Sequence, residues 1–181
     1  MKRVLIIGCS GAGKTTFAKK LAQKTNLPLV HLDQLYWQDH WTPVSRPVFE
    51  SLLQAELEKP YWIIDGNFNR TLPHRLKYCD TVIYLDFSTV TCLIGATKRI
   101  LSYYGKSRED MGGQCIERFD REKIPFYRNI LRFRKQHREN YLQLLAAADN
   151  ATVTVIENRR EAQRYLDRIL PDTNEKTLPD K

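Results

Sequence analysis

The chain has 181 residues and a formal net charge of +8 at pH 7. This length suits one domain with a full apolar core, and no apolar run approaches the length of a membrane span. The four cysteines are scattered without a C-x-x-C pair, and no secretory leader pattern is present, which argues against a zinc site and favours a cytoplasmic protein with reduced thiols.

The first element is a short apolar strand over residues 3–7, and the run that follows it predicts a phosphate-binding loop. Residues 8–15 match the pattern G-x-x-x-x-G-K-T, and residues 14–25 have the composition of a helix. The glycines let successive backbone N–H groups point at phosphate oxygens, and the helix N-terminus adds partial positive charge. In this motif the Lys14 ammonium reaches the terminal phosphates and the Thr15 hydroxyl ligates Mg²⁺. The residues predicted to bind the ATP phosphates are Gly8, Ser10, Gly11, Ala12, Gly13, Lys14, Thr15 and Thr16.

Strand-like and helix-like segments alternate along the rest of the chain. Further strands are predicted at 28–32, 61–65, 81–86 and 152–156, and further helices at 47–58, 88–103, 126–147 and 160–169. Short, nearly continuous apolar strands joined by helices indicate a parallel sheet that is covered on both faces. The predicted fold class is therefore α/β, with right-handed crossover connections.

Two stretches interrupt this alternation. Residues 34–46 are rich in aromatic side chains and are predicted as a loop, while residues 104–125 combine three glycines with many charges. We interpret the second stretch as a mobile excursion from the core rather than as a second domain. We therefore expect one domain over residues 1–171 and a disordered tail over residues 172–181, where almost nothing apolar can be buried.

The residues after the second and third predicted strands carry a family resemblance. Asp65, Gly66 and Arg70 match the Asp-Gly-Phe-Pro-Arg stretch of the adenylate kinase-like branch of P-loop kinases, although one extra residue intervenes and the proline is absent. Residues 32–37 (L-D-Q-L-Y-W) and 65–67 (D-G-N) are similar to two stretches of the DNA topology modulation proteins, the FlaR group. The resemblance to this group extends over nearly the whole chain.

The resemblance implies a fold, an activity and cofactors. The implied fold is the three-layer α/β/α P-loop NTPase fold, in which a five-stranded parallel sheet has the strand order 2-3-1-4-5 and a mobile lid at about 104–125 covers ATP. The implied activity is Mg²⁺-dependent transfer of the ATP γ-phosphate to a nucleotide or to another small molecule. The acceptor is not identified by these residues.

Two carboxylates end predicted strands and are candidates to orient Mg²⁺ beside Thr15. Asp65 ends the buried third strand and is the preferred candidate, and Asp86 ends the next strand. Either carboxylate could instead cap a helix or satisfy a loop. We predict the metal site at Thr15 and Asp65.

Two residues are predicted to hold the acceptor. In small-molecule kinases that resemble this chain, a carboxylate after the second strand contacts the acceptor hydroxyl, which makes Asp33 the candidate general base. The alternative for Asp33 is an N-cap of the segment that follows it. Arg70 is the candidate for binding an acceptor phosphate through two parallel hydrogen bonds, and its alternative is a surface cation. Arg75 is a second choice.

The predicted lid would supply arginines that neutralise the triphosphate and would exclude water when it closes. Arg99 lies near the end of the helix that enters it and is predicted to bind ATP. Arg118 lies within it and completes the predicted catalytic set of Lys14, Asp33 and Arg118. The alternatives are Arg108, Arg121 and Arg128.

The basic residues also allow a second function. Between residues 97 and 138, twelve Lys and Arg stand against five Asp and Glu, so an anionic partner is expected there. An ATP-dependent phosphotransferase with a basic lid is the first hypothesis. The alternative is an ATP-binding regulator that contacts DNA through residues 97–138, although no DNA-reading motif is present. A plain GTPase or ATPase switch is a third hypothesis, and the absence of the guanine-reading Asn-Lys-x-Asp pattern leaves a preference for GTP without sequence support.

Overall fold

The computed structural model describes residues 1–169, apart from the side chain of Glu122, so the predicted tail at 172–181 lies outside the described residues. Its centre is a five-stranded sheet in which every neighbouring pair of strands is parallel. The strands of this sheet are β1 (Arg3–Gly8), β2 (Leu29–His31), β5 (Trp62–Asp65), β6 (Thr81–Leu85) and β7 (Thr152–Ile156). A separate antiparallel hairpin consists of β3 (Trp37–Gln38) and β4 (Thr42–Pro43).

The strands lie in the order β2-β5-β1-β6-β7 across the sheet. This numbering differs from the expected 2-3-1-4-5 because the two hairpin strands come between β2 and β5 in the chain. Counted among themselves, the five strands of the sheet follow the expected order. Asp65 pairs in register with Ile6 on one side and with His31 on the other. The carboxyl ends of β1, β2 and β5 therefore meet at one edge, where open α/β sheets bind their ligands.

Seven α-helices lie within the described residues. Five of them match the predicted helices within two residues. The short helices α2 and α4, like the hairpin, were not predicted, because elements of five residues or fewer show no clear periodicity. The helices are α1 (Lys14–Thr25), α2 (Leu32–Tyr36), α3 (Arg46–Leu57), α4 (Leu72–Leu76), α5 (Thr89–Ser102), α6 (Ile124–Ala146) and α7 (Arg159–Arg168). None of these helices is both long enough and apolar enough to cross a membrane.

The helices cover both faces of the sheet. Alternate residues of β1 point to opposite faces, so Val4 and Ile6 belong to one apolar cluster while Leu5 and Ile7 belong to the other. The first cluster includes residues of α1, α5 and α7, and the second includes residues of α3, α4 and α6. This arrangement agrees with the predicted α/β sandwich, and it leaves the carboxyl edge of the sheet accessible to a ligand.

The segment 104–125 leaves the sheet after α5 and packs against the hairpin. The Trp41 indole N–H donates to the carbonyl oxygen of Ile116 at 3.1 Å, and the Gln114 N–H donates to Asp39 Oδ1 at 2.6 Å. The Lys123 ammonium lies 4.3 Å from the centre of the Trp41 ring. These contacts join two loops into one wall beside the sheet. The mobility of this segment stays a prediction.

Candidate functional site

The phosphate-binding loop connects β1 to α1 and packs directly on α5. Gly11 and Gly13 have φ angles of +83° and +89°, in the left-handed region that favours glycine. A Cβ atom on Gly11 would lie 2.0 Å from the carbonyl oxygen of Cys92, whereas nothing lies within 4 Å of a Cβ atom on Gly13. Gly11 is therefore required for space as well as for conformation.

The Lys14 ammonium folds back over this loop. It donates to the carbonyl oxygens of Gly8 at 2.9 Å and of Cys9 at 3.2 Å. The Gly8 N–H is also engaged, because it donates to Asn67 Oδ1 at 3.0 Å. The loop is thus held closed by its own lysine and by the residues that follow β5, and the lysine charge is kept at the centre of the loop.

The loop lines a cavity of about 840 Å³, which we call the donor cavity. The predicted phosphate-binding residues from Ser10 to Thr16 all line it. Gly8 is not among the described lining residues and contributes through its bond to Asn67 instead. The remaining walls add positive charge to this cavity through Lys98, Arg99, Arg108 and Arg159.

The predicted metal pair is brought together at one corner of the donor cavity. Asp65 Oδ2 lies 2.9 Å from the Thr15 hydroxyl oxygen and 3.1 Å from His31 Nδ1. Asp65 Oδ1 is buried and has no hydrogen-bond partner within the described residues. Adjacent ligands of an octahedral Mg²⁺ ion are about 3 Å apart, so these oxygens fit such an ion.

Within residues 1–169, no group of three or more His, Cys, Asp or Glu side chains could hold a metal ion by itself. Kinase sites bind Mg²⁺ through one or two carboxylates and complete its shell with substrate phosphates and water. The alternative carboxylate, Asp86, is engaged elsewhere. It is buried and accepts from Arg138 Nε at 2.6 Å, with Arg134 Nε at 3.4 Å. This pairing fastens α6 to the end of β6, so the geometry favours Asp65 for the metal.

Asp33 lies in the first turn of α2 and not at its N-cap, because the helix begins at Leu32. Burial raises the pKa of the Asp33 carboxyl, and the nearby charge of Asp65 raises it further. Lys14, Arg108 and Arg99 oppose this shift without cancelling it. The Asp33 carboxyl therefore holds its proton more tightly than an ordinary aspartic acid side chain does.

A second cavity of about 590 Å³ lies between the hairpin and the 104–125 segment, and we call it the acceptor cavity. It meets the donor cavity at four residues that line both: Ser10, Asp33, Arg99 and Arg108. We call these four residues the junction. The other walls of the acceptor cavity combine aromatic rings with basic side chains. They include Trp37, His40, Trp41, Arg118, Lys123 and Phe126.

The two arginines of the junction differ in their partners. Arg108 is buried and donates to Asp110 Oδ2 at 2.9 Å, with its Nε 3.2 Å from Glu117 Oε1. The Arg99 guanidinium lies 5.4 Å from the centre of the Phe126 ring, and its Nε is buried without a hydrogen-bond partner in the described residues. Burial lowers the pKa of Arg99, and the charge of Arg108 lowers it further. A phosphate at the junction would relieve both effects.

The other predicted arginines lie in different places. Arg118 is exposed and lines the acceptor cavity, and its catalytic role stays a prediction. Arg70 is exposed and pairs with Glu50 of α3 at 3.3 Å. Within residues 1–169, Arg70 is not among the lining residues of either cavity. The structure therefore does not bring Arg70 together with Asp33.

Arg75 is fully buried and holds the loop after β5 in place. Its guanidinium donates to the carbonyl oxygens of Gly66 at 3.0 Å and of Asn67, and its Nε donates to Thr71 Oγ1 at 3.2 Å. Burial lowers the pKa of Arg75 to about 10. Arg75 is thus a structural cation that supports the loop beginning at Asp65.

Two contributions to the site were not anticipated from the sequence. The Asn67 side chain holds the first residue of the phosphate-binding loop, and Asp110 contacts Thr15 from the 104–125 segment. Asn67 belongs to the D-G-N stretch at 65–67, so its sequence position could have identified it as a candidate site residue. Asp110 stands in an irregular charged stretch that carries no periodicity, so only the three-dimensional arrangement reveals it.

No family model matches the chain, and no curated protein matches its sequence. Among solved structures, the chain is similar to shikimate kinase from Acinetobacter baumannii in complex with shikimate. The two are 17% identical with a TM-score of 0.56, over 93% of this chain and 90% of that chain. The likeness shows that the two chains share an overall fold. The resemblance to the FlaR group receives no support from these comparisons and stays a prediction.

Part of the basic segment 97–138 is used within the molecule. Arg99 and Arg108 face the cavities, and Arg138 pairs with Asp86. These contacts account for part of the positive charge without an external partner. The DNA-contacting alternative has no observation in its favour.

Proposed function

We propose that the protein is an ATP-dependent phosphotransferase that acts on a nucleotide or another small-molecule acceptor. The observation that carries this proposal is the junction, where two cavities meet at Ser10, Asp33, Arg99 and Arg108. Phosphates on the P-loop would extend toward these residues, and an acceptor in the second cavity would approach them from the other side. Such an arrangement holds both reactants in one site, so that the transfer becomes an effectively unimolecular step.

Each residue near the junction has a role in this proposal. Lys14 and the loop amides bind the donor phosphates, and Arg99 with Arg108 neutralises charge on the group in transfer. Asp33 accepts the proton of an acceptor hydroxyl, and its raised pKa moves it toward the working pH, where a general base is most effective. Mg²⁺, when bound by Thr15 and Asp65, would neutralise and orient the phosphates.

The walls of the acceptor cavity indicate the chemistry of the acceptor. Trp37 and Trp41 offer aromatic surface, and Arg118 and Lys123 offer positive charge. Aromatic faces suit a planar or apolar body, while the cations suit a phosphate or carboxylate. We therefore propose an acceptor that carries a hydroxyl and an anionic group. The 104–125 segment would act as a lid over both ATP and this acceptor, with Arg118 facing the acceptor cavity.

The test is ADP release from ATP and Mg²⁺ with a panel of acceptors that includes nucleoside monophosphates and shikimate. We expect ADP release that depends on one acceptor, is lost in Lys14→Ala, and is lost in Asp33→Asn with ATP binding retained. If ATP binds but no acceptor raises the rate above the acceptor-free rate, the proposal is contradicted. Arg70→Ala decides whether Arg70 contacts the acceptor, and its place beside Glu50 predicts an unchanged KM.

A further inference from the structure

Asp110 lies in the 104–125 segment but touches the phosphate-binding loop. Its Oδ2 is 3.2 Å from the Thr15 hydroxyl oxygen and accepts from Arg108 Nη1 at 2.9 Å. The side chain is buried, with 7% of the residue exposed. A carboxylate has therefore been placed against the same hydroxyl that the P-loop motif assigns to Mg²⁺.

The contacts around Thr15 contain more acceptor oxygens than hydrogens. Asp65 Oδ2 and Asp110 Oδ2 both contact Thr15 Oγ1, at 2.9 and 3.2 Å, and a hydroxyl has only one hydrogen to donate. One of the two carboxylates therefore faces a lone pair. Asp65 Oδ1 adds a buried oxygen that has no hydrogen-bond partner in the described residues. An orphaned carboxylate oxygen of this kind is costly unless a cation is present.

The neighbouring protein cations pair with Asp110 but leave Asp65 Oδ1 without a partner in the described residues. The Lys14 ammonium is bonded to carbonyl oxygens of the loop, and Arg108 divides its donors between Asp110 and other atoms of the 104–125 segment. His31 contacts the other oxygen of Asp65. An octahedral ion has adjacent ligands about 3 Å apart, and both distances to Thr15 Oγ1 are close to that spacing.

We infer that Asp110 is a carboxylate of the magnesium site, facing the ion together with Thr15 and Asp65. This inference rests on the proposed function and adds a residue to it. Arg108 and Asp110 are two positions apart, so the 104–125 segment presents one side chain to the phosphates and one to the metal. Placement of this segment and binding of Mg²⁺ with ATP are then coupled.

The test is calorimetric titration of ATP in MgCl₂ and, separately, in EDTA, on the wild type, Asp110→Asn and Glu109→Gln. Glu109 is the matched control, because it is the adjacent carboxylate, is exposed, and pairs with Lys19. We expect Asp110→Asn to lower the Mg²⁺-dependent gain in ATP affinity by about tenfold or more, with the affinity in EDTA unchanged or higher. Glu109→Gln keeps the gain of the wild type.

An unchanged Mg²⁺-dependent gain in Asp110→Asn overturns the inference. So does equal strengthening of ATP binding in MgCl₂ and in EDTA, because Asp110 would then be only a competitor of the phosphates. Tryptic cleavage of the wild type between residues 106 and 121 provides a measurement that needs no variant. We expect ATP to protect this segment in MgCl₂ and not in EDTA, and equal protection in both overturns the inference.

The outcomes separate this inference from the proposed function. A wild type that does not bind ATP overturns both. ATP binding with a normal Mg²⁺ dependence in Asp110→Asn overturns only the role of Asp110. Loss of that dependence, in a protein that releases no ADP with any acceptor, supports the role of Asp110 while contradicting the phosphotransferase.

Discussion

The two walls of the proposed site are built in different ways. Residues 8–15 are consecutive in the chain and are fixed by the strand before them and the helix after them. The facing wall joins the hairpin to the 104–125 segment through hydrogen bonds between residues about 75 positions apart. The first wall can therefore be recognised from a local motif, although Asn67 and α5 also support it, whereas the second is formed only by contacts between distant residues. This difference decides which parts of the site a motif can reveal and which substitutions should disturb them.

The largest expected effect lies where the two walls meet. Asp33→Asn should lower kcat by about 10²- to 10⁴-fold, because the proposed general base is lost, while ATP binding persists. In the wild type, kcat/KM should rise with pH through the raised pKa of Asp33, since the base must be ionised. The pH profile of acceptor-dependent ADP release measures this. An acid limb that survives in Asp33→Asn would assign the base elsewhere.

The same substitution should change how the stability of the protein depends on pH. The folded state holds the Asp33 proton more tightly than the unfolded state, so the wild type loses stability as pH rises from the unfolded pKa through the raised folded pKa. Asp33→Asn does not lose this stability and should be the more stable protein at neutral pH. Urea unfolding of both proteins at acidic and neutral pH measures this difference. The prediction is contradicted if the unfolding free energy changes equally with pH in the two proteins.

The local wall can be broken by a single methyl group. Gly11→Ala forces a Cβ against the Cys92 carbonyl at a positive φ, and should cost about 2–5 kcal/mol of unfolding free energy. Gly13→Ala is the matched control, because it has a similar φ with open space around it, and should cost about 1–2 kcal/mol. Urea denaturation measures both. Equal costs would show that conformation alone, and not space, requires glycine at Gly11.

The contrast between the walls also explains what the sequence could predict. Strands and long helices follow from periodicity, and the structure confirms them. The P-loop follows from a local motif, and it connects β1 to α1 as that motif requires. The choice of Asp65 as the partner of Thr15 rested on its place at the end of a buried strand, and the two side chains lie 2.9 Å apart. Asp110 could not be found in this way, because its contact with Thr15 spans 95 positions. The surroundings of Arg70 and Arg75 likewise depend on how loops fold back.

The long-range wall can be weakened at its buried carboxylate. Glu117 is fully buried, 2.8 Å from the Lys123 ammonium, and forms an ion pair with Arg108. Glu117→Gln removes the negative charge that pairs with these two cations, and should cost about 1–3 kcal/mol of unfolding free energy. We expect faster tryptic cleavage of the 104–125 segment while ATP affinity in EDTA is retained. A loss of that affinity as large as in Lys14→Ala would show that Glu117 supports the phosphate-binding loop and not only the 104–125 segment.

The smallest expected effect is at the contact between the hairpin and the segment. Trp41→Phe keeps an aromatic ring beneath Lys123 but removes the hydrogen bond to the Ile116 carbonyl, and should cost about 0.5–1.5 kcal/mol. Chemical denaturation and the KM for the acceptor are the measurements. If the KM for ATP changed and the KM for the acceptor did not, the contact would support the donor cavity and not the acceptor cavity.

The shared junction has a consequence for inhibitor design. Cavities of about 840 and 590 Å³ that meet at four residues can be spanned by one compound, with a nucleoside at one end and an acceptor analogue at the other. Joining the two ends makes the second binding event intramolecular, so a linked compound can exceed the affinity of either fragment by about 10²- to 10⁴-fold. For the phosphotransfer proposed above, the length of phosphate linker that binds best would measure the distance between the two reacting groups.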